Sequence, residues 1–502
     1  MADFNQTVES TGNHKRQWFG NKWQILTTFA LLLGDIAHII TFFRFPMTTD
    51  FNTYKHHYRT IIALGFPIVV GQIGTIVLNF ADTLMIGHHS TVELAAAAFV
   101  SNMLTLGLLI AIGFANGITP IVGRLFGQNN YDEIGSIVKN ATLANTVLAA
   151  LLMAVYSVLY FFLDKMGQPE ELLPYMRSYY IVNLASVPFV CWFNSMKQTF
   201  DGTANTQMPM WVLLGGNLLN IVGNWILIYG KCGMPEMGLL GAGISTLVSR
   251  IIMAIVIWTM FFASPRFKTV RLAFAKACLN REHFMLINRM GWPLGLQMGM
   301  ESGAWSLCSI IVGWIGTNAL AAHQIMLTVS MLFYQVYFGI AAAVSIRVSL
   351  YHGTRNYDSI TPITWAGFHL ILVVAALVSI PVVIFKDSIG YLFTDSADVA
   401  QIVSATIVPL LAYQIGDGLQ CAFSNALRGL SHVKPMMLVA FISYFVVSIP
   451  CSYIFGITLG GGLVGVWSAF PFGLTLAGIL YYICFKRRLA QLRVTEPAPQ
   501  AS

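Results

Sequence analysis

The chain has 502 residues, of which 56% are hydrophobic and only 10% are charged, and its net charge is +7. Soluble domains are about 25% charged, so this composition excludes a soluble globular protein and indicates many membrane spans. The positive charge does not indicate a nucleic-acid partner, because the basic residues lie in short loops between apolar segments that are too long and too uniformly apolar for a barrel.

Twelve main apolar segments predict an all-α polytopic membrane protein with two pseudo-symmetric lobes of six transmembrane helices each. We expect the helices near residues 60–86, 93–119, 134–162, 173–199, 208–229, 238–263, 284–315, 319–346, 359–385, 398–427, 435–456 and 462–485. The predicted organisation is an N-terminal extension (1–53), an N-lobe (54–264), a cytoplasmic linker (265–283), a C-lobe (284–486) and a cytoplasmic tail (487–502).

Basic residues predict the orientation of the spans. The connections after every second span carry most of them, for example Arg124, Lys197, Arg347 and Arg428, and the linker is also basic. Positive loops face the cytoplasm, which places the linker and the C-terminus on that side. A further apolar run at 23–43 precedes the first span, and we expect a non-essential extension, a signal-like or interfacial helix, or a start-site artefact.

The two halves of the sequence repeat without a gap at an offset of 226 residues. The GxP motif at 65–67 recurs at 291–293, and the polar triplet NYD at 130–132 recurs at 356–358. Each half holds an even number of spans, so both halves enter the membrane in the same direction. Such a parallel repeat is typical of secondary transporters, in which the halves rock around a site near the bilayer midplane.

Three acids lie inside predicted spans: Asp82, Glu301 and Asp417. A charge at the bilayer centre costs about 2.5–3.5 kcal/mol on insertion scales, so each acid should face a partner or a wet cavity. Other polar residues share helix faces with the acids or with one another, by their spacing of three or four: Gln72, Thr75 and Asn79 with Asp82; Asn217, Asn220 and Asn224 together in span five; Gln297 with Glu301; and Tyr413, Gln420 and Ser424 with Asp417.

A purely structural role explains Asp82 poorly, because hydrogen bonds between membrane helices contribute only about 0.6 kcal/mol on average. The acids are also not relics of the repeat, since Asp82 corresponds to Cys308 and Glu301 corresponds to Thr75. A carboxylate taken out of water favours its protonated form and can exchange a proton. Alternatively, carboxylate, amide and hydroxyl oxygens can coordinate Na⁺. Both chemistries predict ion coupling.

Five motifs in order resemble the multidrug and toxic compound extrusion (MATE) family, in its bacterial NorM-like branch. They are FADTLMIGH (80–88), NIVGNWILIYGK (220–231), AAHQI (321–325), IAAAVSIRV (340–348) and ALRGLSHVKP (426–435). The resemblance implies two six-helix lobes around a membrane cavity and export of organic cations and other drugs in exchange for Na⁺ or H⁺. It also implies that Asp82 acts with Asn220 and Asn224 in the N-lobe.

For the C-lobe, the resemblance implies that Glu301 and Asp417 act with Tyr413, and that the ring of Tyr334 lines a cation site. The sequence thus predicts a cation-coupled multidrug antiporter of the bacterial inner membrane, a monomer among lipids with no cofactor but its coupling ion. The ion-coupling candidates are Glu301, Asp417, Asp82, Tyr413 and Tyr334, with Na⁺ at Glu301, Asp417 and Tyr413. The predicted N-lobe polar network is Asn220, Asn224, Asn79 and Gln72.

Other functions predict other signals. A lipid-linked oligosaccharide flippase of the same superfamily needs Arg and Lys in its cavity to bind phosphates, whereas the mid-span charges noted above are acidic. A narrow-substrate secondary transporter remains an alternative. An enzyme is not expected, because neither HExxH nor GxSxG occurs, and an ATP-driven pump would need GxxxxGK[ST], which is also missing from the sequence.

Overall fold

A computed structural model describes residues 51–496, and nearly all of them lie in helices. The twelve long helices of this part of the chain are α1 (Phe51–His89), α2 (Thr91–Gly127), α3 (Tyr131–Tyr160), α4 (Leu173–Gly202), α5 (Gln207–Ile228), α6 (Gly238–Ala263), α7 (Arg281–Ile315), α8 (Thr317–Gly353), α9 (Ile360–Ile384), α10 (Ala397–Gly429), α11 (Lys434–Thr458) and α12 (Gly462–Thr495). The apolar run at 23–43 lies outside the described residues.

The predicted all-α membrane fold with twelve helices is confirmed. Within the described residues, ten of the helices are long and apolar enough to cross a membrane. The other two, α4 and α7, have 30 and 35 residues and are also long enough to span a bilayer, which needs about 20. Both are more polar, and α7 carries Glu301. The predicted N-lobe contains α1–α6 and the predicted C-lobe α7–α12, and these names are kept below.

The repeated NYD triplet has a structural cause. Asn130 precedes α3, and its side chain accepts a hydrogen bond from the backbone N–H of Glu133 at 3.2 Å. Asn356 precedes α9 and accepts in the same way from Ser359 at 3.3 Å. Each satisfies a backbone donor that the first helical turn leaves without a partner. The two asparagines also share nearly the same backbone angles, so the repeat preserves a helix start.

Glycines allow the lobes to approach closely, and the contacts obey the repeat. A methyl group on Gly113 of α2 would lie 2.8 Å from the Cα atom of Gly295 on α7. The repeat equivalent of this pair is Gly339 of α8 with Val69 of α1, where the corresponding distance is 3.2 Å. We call these two helix crossings, α2–α7 and α8–α1, the inter-lobe seam. Their equivalence indicates a pseudo-two-fold relation between the lobes.

Gly127 and Gly353 locate the pseudo-symmetry axis. They are equivalent under the offset of 226 residues, and a methyl group on either would lie within 3.2 Å of the Cα atom of the other. A residue that contacts its own equivalent lies next to the axis. The neighbouring Arg124 and Arg355 belong to the connections predicted to be cytoplasmic. The lobes therefore contact one another on the predicted cytoplasmic side.

The seam predicts the effect of a methyl group at Gly113. Alanine there would lie 2.7 Å from the backbone oxygen of Leu294, and overpacking of this kind typically costs about 1–3 kcal/mol. Gly303→Ala in α7 is the matched control, because no atom lies within 4 Å of the added methyl and alanine favours the helix. We expect a lower thermal unfolding midpoint for Gly113→Ala in detergent, but not for Gly303→Ala. Equal midpoints would contradict a tight seam.

Candidate functional site

Glu301 lies at the centre of a hydrogen-bonded chain that joins three helices of the C-lobe. The hydroxyl of Tyr444 on α11 donates to Oε1 of Glu301 at 3.2 Å. The same hydroxyl accepts from Nε2 of Gln420 on α10 at 2.7 Å. Tyr444 lies in a π-helical part of α11, Phe441–Ser448, a geometry that often occurs at functional sites. This chain fixes the position of the Glu301 carboxylate relative to α10.

A cavity of about 40 Å³ lies beside this chain. Its wall includes Glu301, Tyr334, Gln420 and Arg428 from the C-lobe, and Asn116 from the N-lobe. A cavity needs about 10–15 Å³ to hold one water molecule, so this space suits an ion with a few waters and is too small for a drug. Because Asn116 belongs to α2, the cavity lies at the contact between the two lobes.

Asp417 is 4% exposed and lies one helical turn before Cys421, which lines the cavity. The Cys421 thiol lies 3.8 Å from Oδ1 of Asp417 and donates to it. The two carboxylates of Glu301 and Asp417 interact electrostatically. The structure therefore brings the two predicted acids of the C-lobe into one buried region.

The two predicted tyrosines occupy different positions. Tyr334 lies on the cavity wall beside Glu301. Tyr413 is buried, and its hydroxyl forms a hydrogen bond with the hydroxyl of Ser330 on α8. The periodicity that places Tyr413 and Asp417 on one helix face therefore leaves the Tyr413 hydroxyl bonded to α8. The role of Tyr413 as a Na⁺ ligand stays a prediction.

A second polar cluster lies in the N-lobe around Asp82. The amide of Asn224 donates to Oδ1 of Asp82 at 2.6 Å. Asn220 lies 3.1 Å from Asn224 and 3.1 Å from Thr246 on α6. With its nitrogen turned toward α1, the Asn220 amide also donates to Oδ1 of Asp82 at 3.1 Å. The cluster thus joins α1, α5 and α6 through the predicted residues Asp82, Asn220 and Asn224.

Gln72 and Asn79 do not take part in this hydrogen-bonded cluster. They lie on the same helix as Asp82, but within residues 51–496 neither side chain forms a hydrogen bond, and Asn79 is exposed. Helical spacing puts residues on one face but does not say at which depth a neighbouring helix supplies a partner. Their place in an N-lobe network stays a prediction.

Sequence reasoning missed two buried groups. The statement that the mid-span charges are acidic is wrong for α6, because Arg250 lies near the middle of that helix and is its one charged residue. The available signal was a lone arginine twelve residues after the helix start, Gly238. Tyr444 was missed because a tyrosine in an apolar span usually indicates packing, and the sequence does not show that it reaches Glu301.

The fold and these clusters define a polytopic membrane protein of two repeated lobes with buried acids, the architecture of secondary transporters. A protein-family model described as MatE matches residues 67–226 and 293–454. The two matches begin 226 residues apart (293 − 67), which equals the offset of the internal repeat. The chain belongs to the MatE family, which confirms the resemblance found in the sequence.

Relatives and solved structures agree with this assignment. "Probable multidrug resistance protein NorM" of Photorhabdus laumondii is 29% identical over 434 residues, which cover 86% of this chain and 95% of the relative. "Multidrug resistance protein NorM" of Aliivibrio fischeri is 26% identical and covers 86% and 94%. A structure described as "Outward-facing conformation of a multidrug resistance MATE family transporter of the MOP superfamily" matches with a TM-score of 0.81 at 20% identity, covering 88% and 97%. The eukaryotic MATE transporter AtDTX14 matches with a TM-score of 0.78 at 17% identity, covering 88% and 99%.

The Tyr444 contacts predict that Tyr444→Phe destabilises the protein. Loss of the hydroxyl leaves the buried amide of Gln420 without its acceptor, and an unpaired buried polar group costs about 1–3 kcal/mol. Tyr453→Phe is the control, because Tyr453 lies on the same helix but is 45% exposed. We expect a lower thermal unfolding midpoint for Tyr444→Phe alone. Equal midpoints for the two variants would contradict the hydrogen-bonded chain.

Proposed function

We propose that this protein is a cation-coupled multidrug efflux antiporter that exports organic cations and related drugs. The observation that carries the proposal is the buried pair of acids in the C-lobe, Glu301 and Asp417, beside a cavity of ion size. The names of the relatives support drugs as the substrates. We further propose that the protein works as a monomer in a bacterial inner membrane, surrounded by lipid.

The C-lobe acids suit cation exchange because their charges repel. Bringing two carboxylates together in a medium of low dielectric disfavours the doubly ionised state. A bound Na⁺ or a proton relieves that repulsion. A cation therefore changes the energy of any conformation in which the two acids lie close together, and this differential binding is what shifts a conformational equilibrium.

The coupling ion is Na⁺ or H⁺. The cavity wall offers oxygen atoms from Glu301, Gln420 and Tyr334, and hard cations prefer oxygen ligands. This set favours Na⁺. Proton coupling needs only the carboxylates and is the alternative. No further cofactor is part of the proposal.

The inter-lobe seam provides the gate in this scheme. It lies on the predicted cytoplasmic side, so the described conformation is closed toward the cytoplasm. Opening the seam and closing the opposite side would give a drug access from the cytoplasm, as in the rocking motion of other repeat transporters. Cation binding from outside would then favour the closed seam and release of the drug.

A flippase for lipid-linked oligosaccharides is the second candidate, because Arg428 lines the C-lobe cavity and arginine binds phosphate well. However, Nε of Arg428 donates to Oγ of Ser345 at 3.1 Å, and its guanidinium also interacts with Asp201. A single arginine with these partners does not make a phosphate-binding cavity. The antiporter proposal therefore fits the described residues better.

The proposal predicts that Glu301→Gln and Asp417→Asn abolish gradient-driven transport. Neutral side chains of similar shape cannot exchange their charge with a cation. The measurement is efflux of the fluorescent organic cation ethidium from proteoliposomes under a Na⁺ gradient or a pH gradient, applied separately. The gradient that drives wild-type efflux identifies the ion.

Asp395→Asn is the matched control, because Asp395 is an exposed acid in the connection before α10. We expect its efflux to equal that of the wild type. Wild-type rates in Glu301→Gln and Asp417→Asn would refute the assignment. No efflux in wild-type protein under either gradient would instead favour the flippase or a narrow-substrate carrier.

A further inference from the structure

Arg250 has no role in the function proposed above, and its position needs a physical reason. It lies twelve residues after the start of α6 and thirteen before its end, and no other residue of Gly238–Ala263 is charged. A guanidinium remains charged at any physiological pH. Charged residues at this depth in a membrane protein pair with other groups or mark a functional site.

Two contacts of Arg250 point into the N-lobe. Its Nη1 atom donates to Oγ of Ser186 on α4 at 2.5 Å. The guanidinium also interacts electrostatically with the carboxylate of Asp82 on α1 and with Tyr179 on α4. Ser186 is neutral, so Asp82 is the acid that balances the charge of Arg250.

The Asp82 cluster holds the two charges near one another. Asp82 binds Asn224, Asn224 binds Asn220, and Asn220 binds Thr246. Thr246 lies one helical turn before Arg250 on the same face of α6. The carboxylate and the guanidinium are farther apart than the 4.0 Å limit of a direct ion pair, and neutral side chains fill the space around them.

The C-lobe acids have a different environment. The groups that act on Glu301 and Asp417 are each other, the Tyr444 hydroxyl and the Cys421 thiol. Arg428 lies on the cavity wall, but it interacts with Ser345 and Asp201. Asp201 in turn pairs with Lys197 at 2.8 Å. The C-lobe acids therefore lack a cation of their own among the described residues.

We propose that Arg250 is the fixed counter-ion of Asp82, so that the N-lobe cluster is electrically neutral without a bound cation. It follows, given the antiporter function proposed above, that the coupling ion binds at the C-lobe acids and not at Asp82. Arg250 is a positioning residue in this scheme: it holds Asp82 in its charged form within the membrane and keeps α1, α4 and α6 in register.

A double-mutant cycle tests the pairing without relying on transport. Asp82→Asn and Arg250→Gln each leave one buried charge without its partner, so each should lower the thermal unfolding midpoint of the purified protein. The double variant removes both charges, so its midpoint should fall by much less than the sum of the two shifts. Additive shifts would overturn the proposal.

The exposed ion pair between Asp164 and Arg177 supplies the matched control cycle. Both side chains are about half exposed, at 48% and 50%. Exposed pairs contribute little, so Asp164→Asn and Arg177→Gln should show additive, small shifts. A coupling equal to that of Asp82 and Arg250 would show that the cycle reports a general effect of charge removal, and it would overturn the assignment of Arg250.

Ethidium efflux from proteoliposomes tests the consequence for the coupling ion. We expect the Asp82→Asn/Arg250→Gln variant to keep efflux that depends on the ion gradient, with each single variant weaker than the double. Loss of the gradient dependence in the double variant would show that Asp82 itself exchanges the ion and would overturn the proposal. If wild-type protein shows no gradient-driven efflux, the antiporter function fails, while the stability cycle still decides whether Arg250 and Asp82 pair.

Discussion

The close approach of backbones along the inter-lobe seam is the constraint on which the rest of the structure depends. Glycine has no Cβ atom, so α2 and α7 can meet at distances that would exclude any larger residue. The seam on α7 extends to Gly299, where a methyl group would lie 2.9 Å from the side chain of Ile110. Glu301 follows two residues later, where the seam ends. A change of charge at Glu301 thus acts at the edge of the surface that has to open.

The repeat supplies a symmetric scaffold on which the charges are asymmetric. Helix starts, glycine contacts and the axis at Gly127 and Gly353 all obey the offset of 226 residues. The acids do not, since the equivalent of Asp82 is the buried Cys308. A symmetric scaffold allows two lobes to rock as similar bodies. Placing an internal cation in one lobe and two acids in the other gives the lobes different responses to ions.

Much of the fold could be predicted from the sequence because membrane helices carry a strong local signal. The twelve apolar segments match α1–α12, and the NYD triplet shows the repeat because a helix start needs the same capping residue in both halves. The predicted contact of Asp82 with the asparagines of α5 is also present, since a buried carboxylate needs a donor.

What the sequence could not show depends on the packing of distant helices. Tyr444 lies 143 residues after Glu301, and nothing local distinguishes it from a tyrosine that only packs. Asn79 shares a helix face with Asp82, yet it is exposed, because the depth at which α5 supplies donors is a tertiary property. Arg250 was visible as a lone charge in its span, but its link to Asp82 appears only when α1 and α6 are brought together.

The central claim is that the seam opens and closes while the lobes move as bodies. The direct measurement is the distance between spin labels at positions 128 and 354, which are exposed equivalents next to the axis. It would be made by pulsed electron resonance in lipid nanodiscs, with ethidium, with Na⁺ and at several pH values. We expect two distance populations, the shorter favoured by the coupling cation and the longer by ethidium in the absence of that cation. One unchanged short distance under every condition would contradict this mechanism.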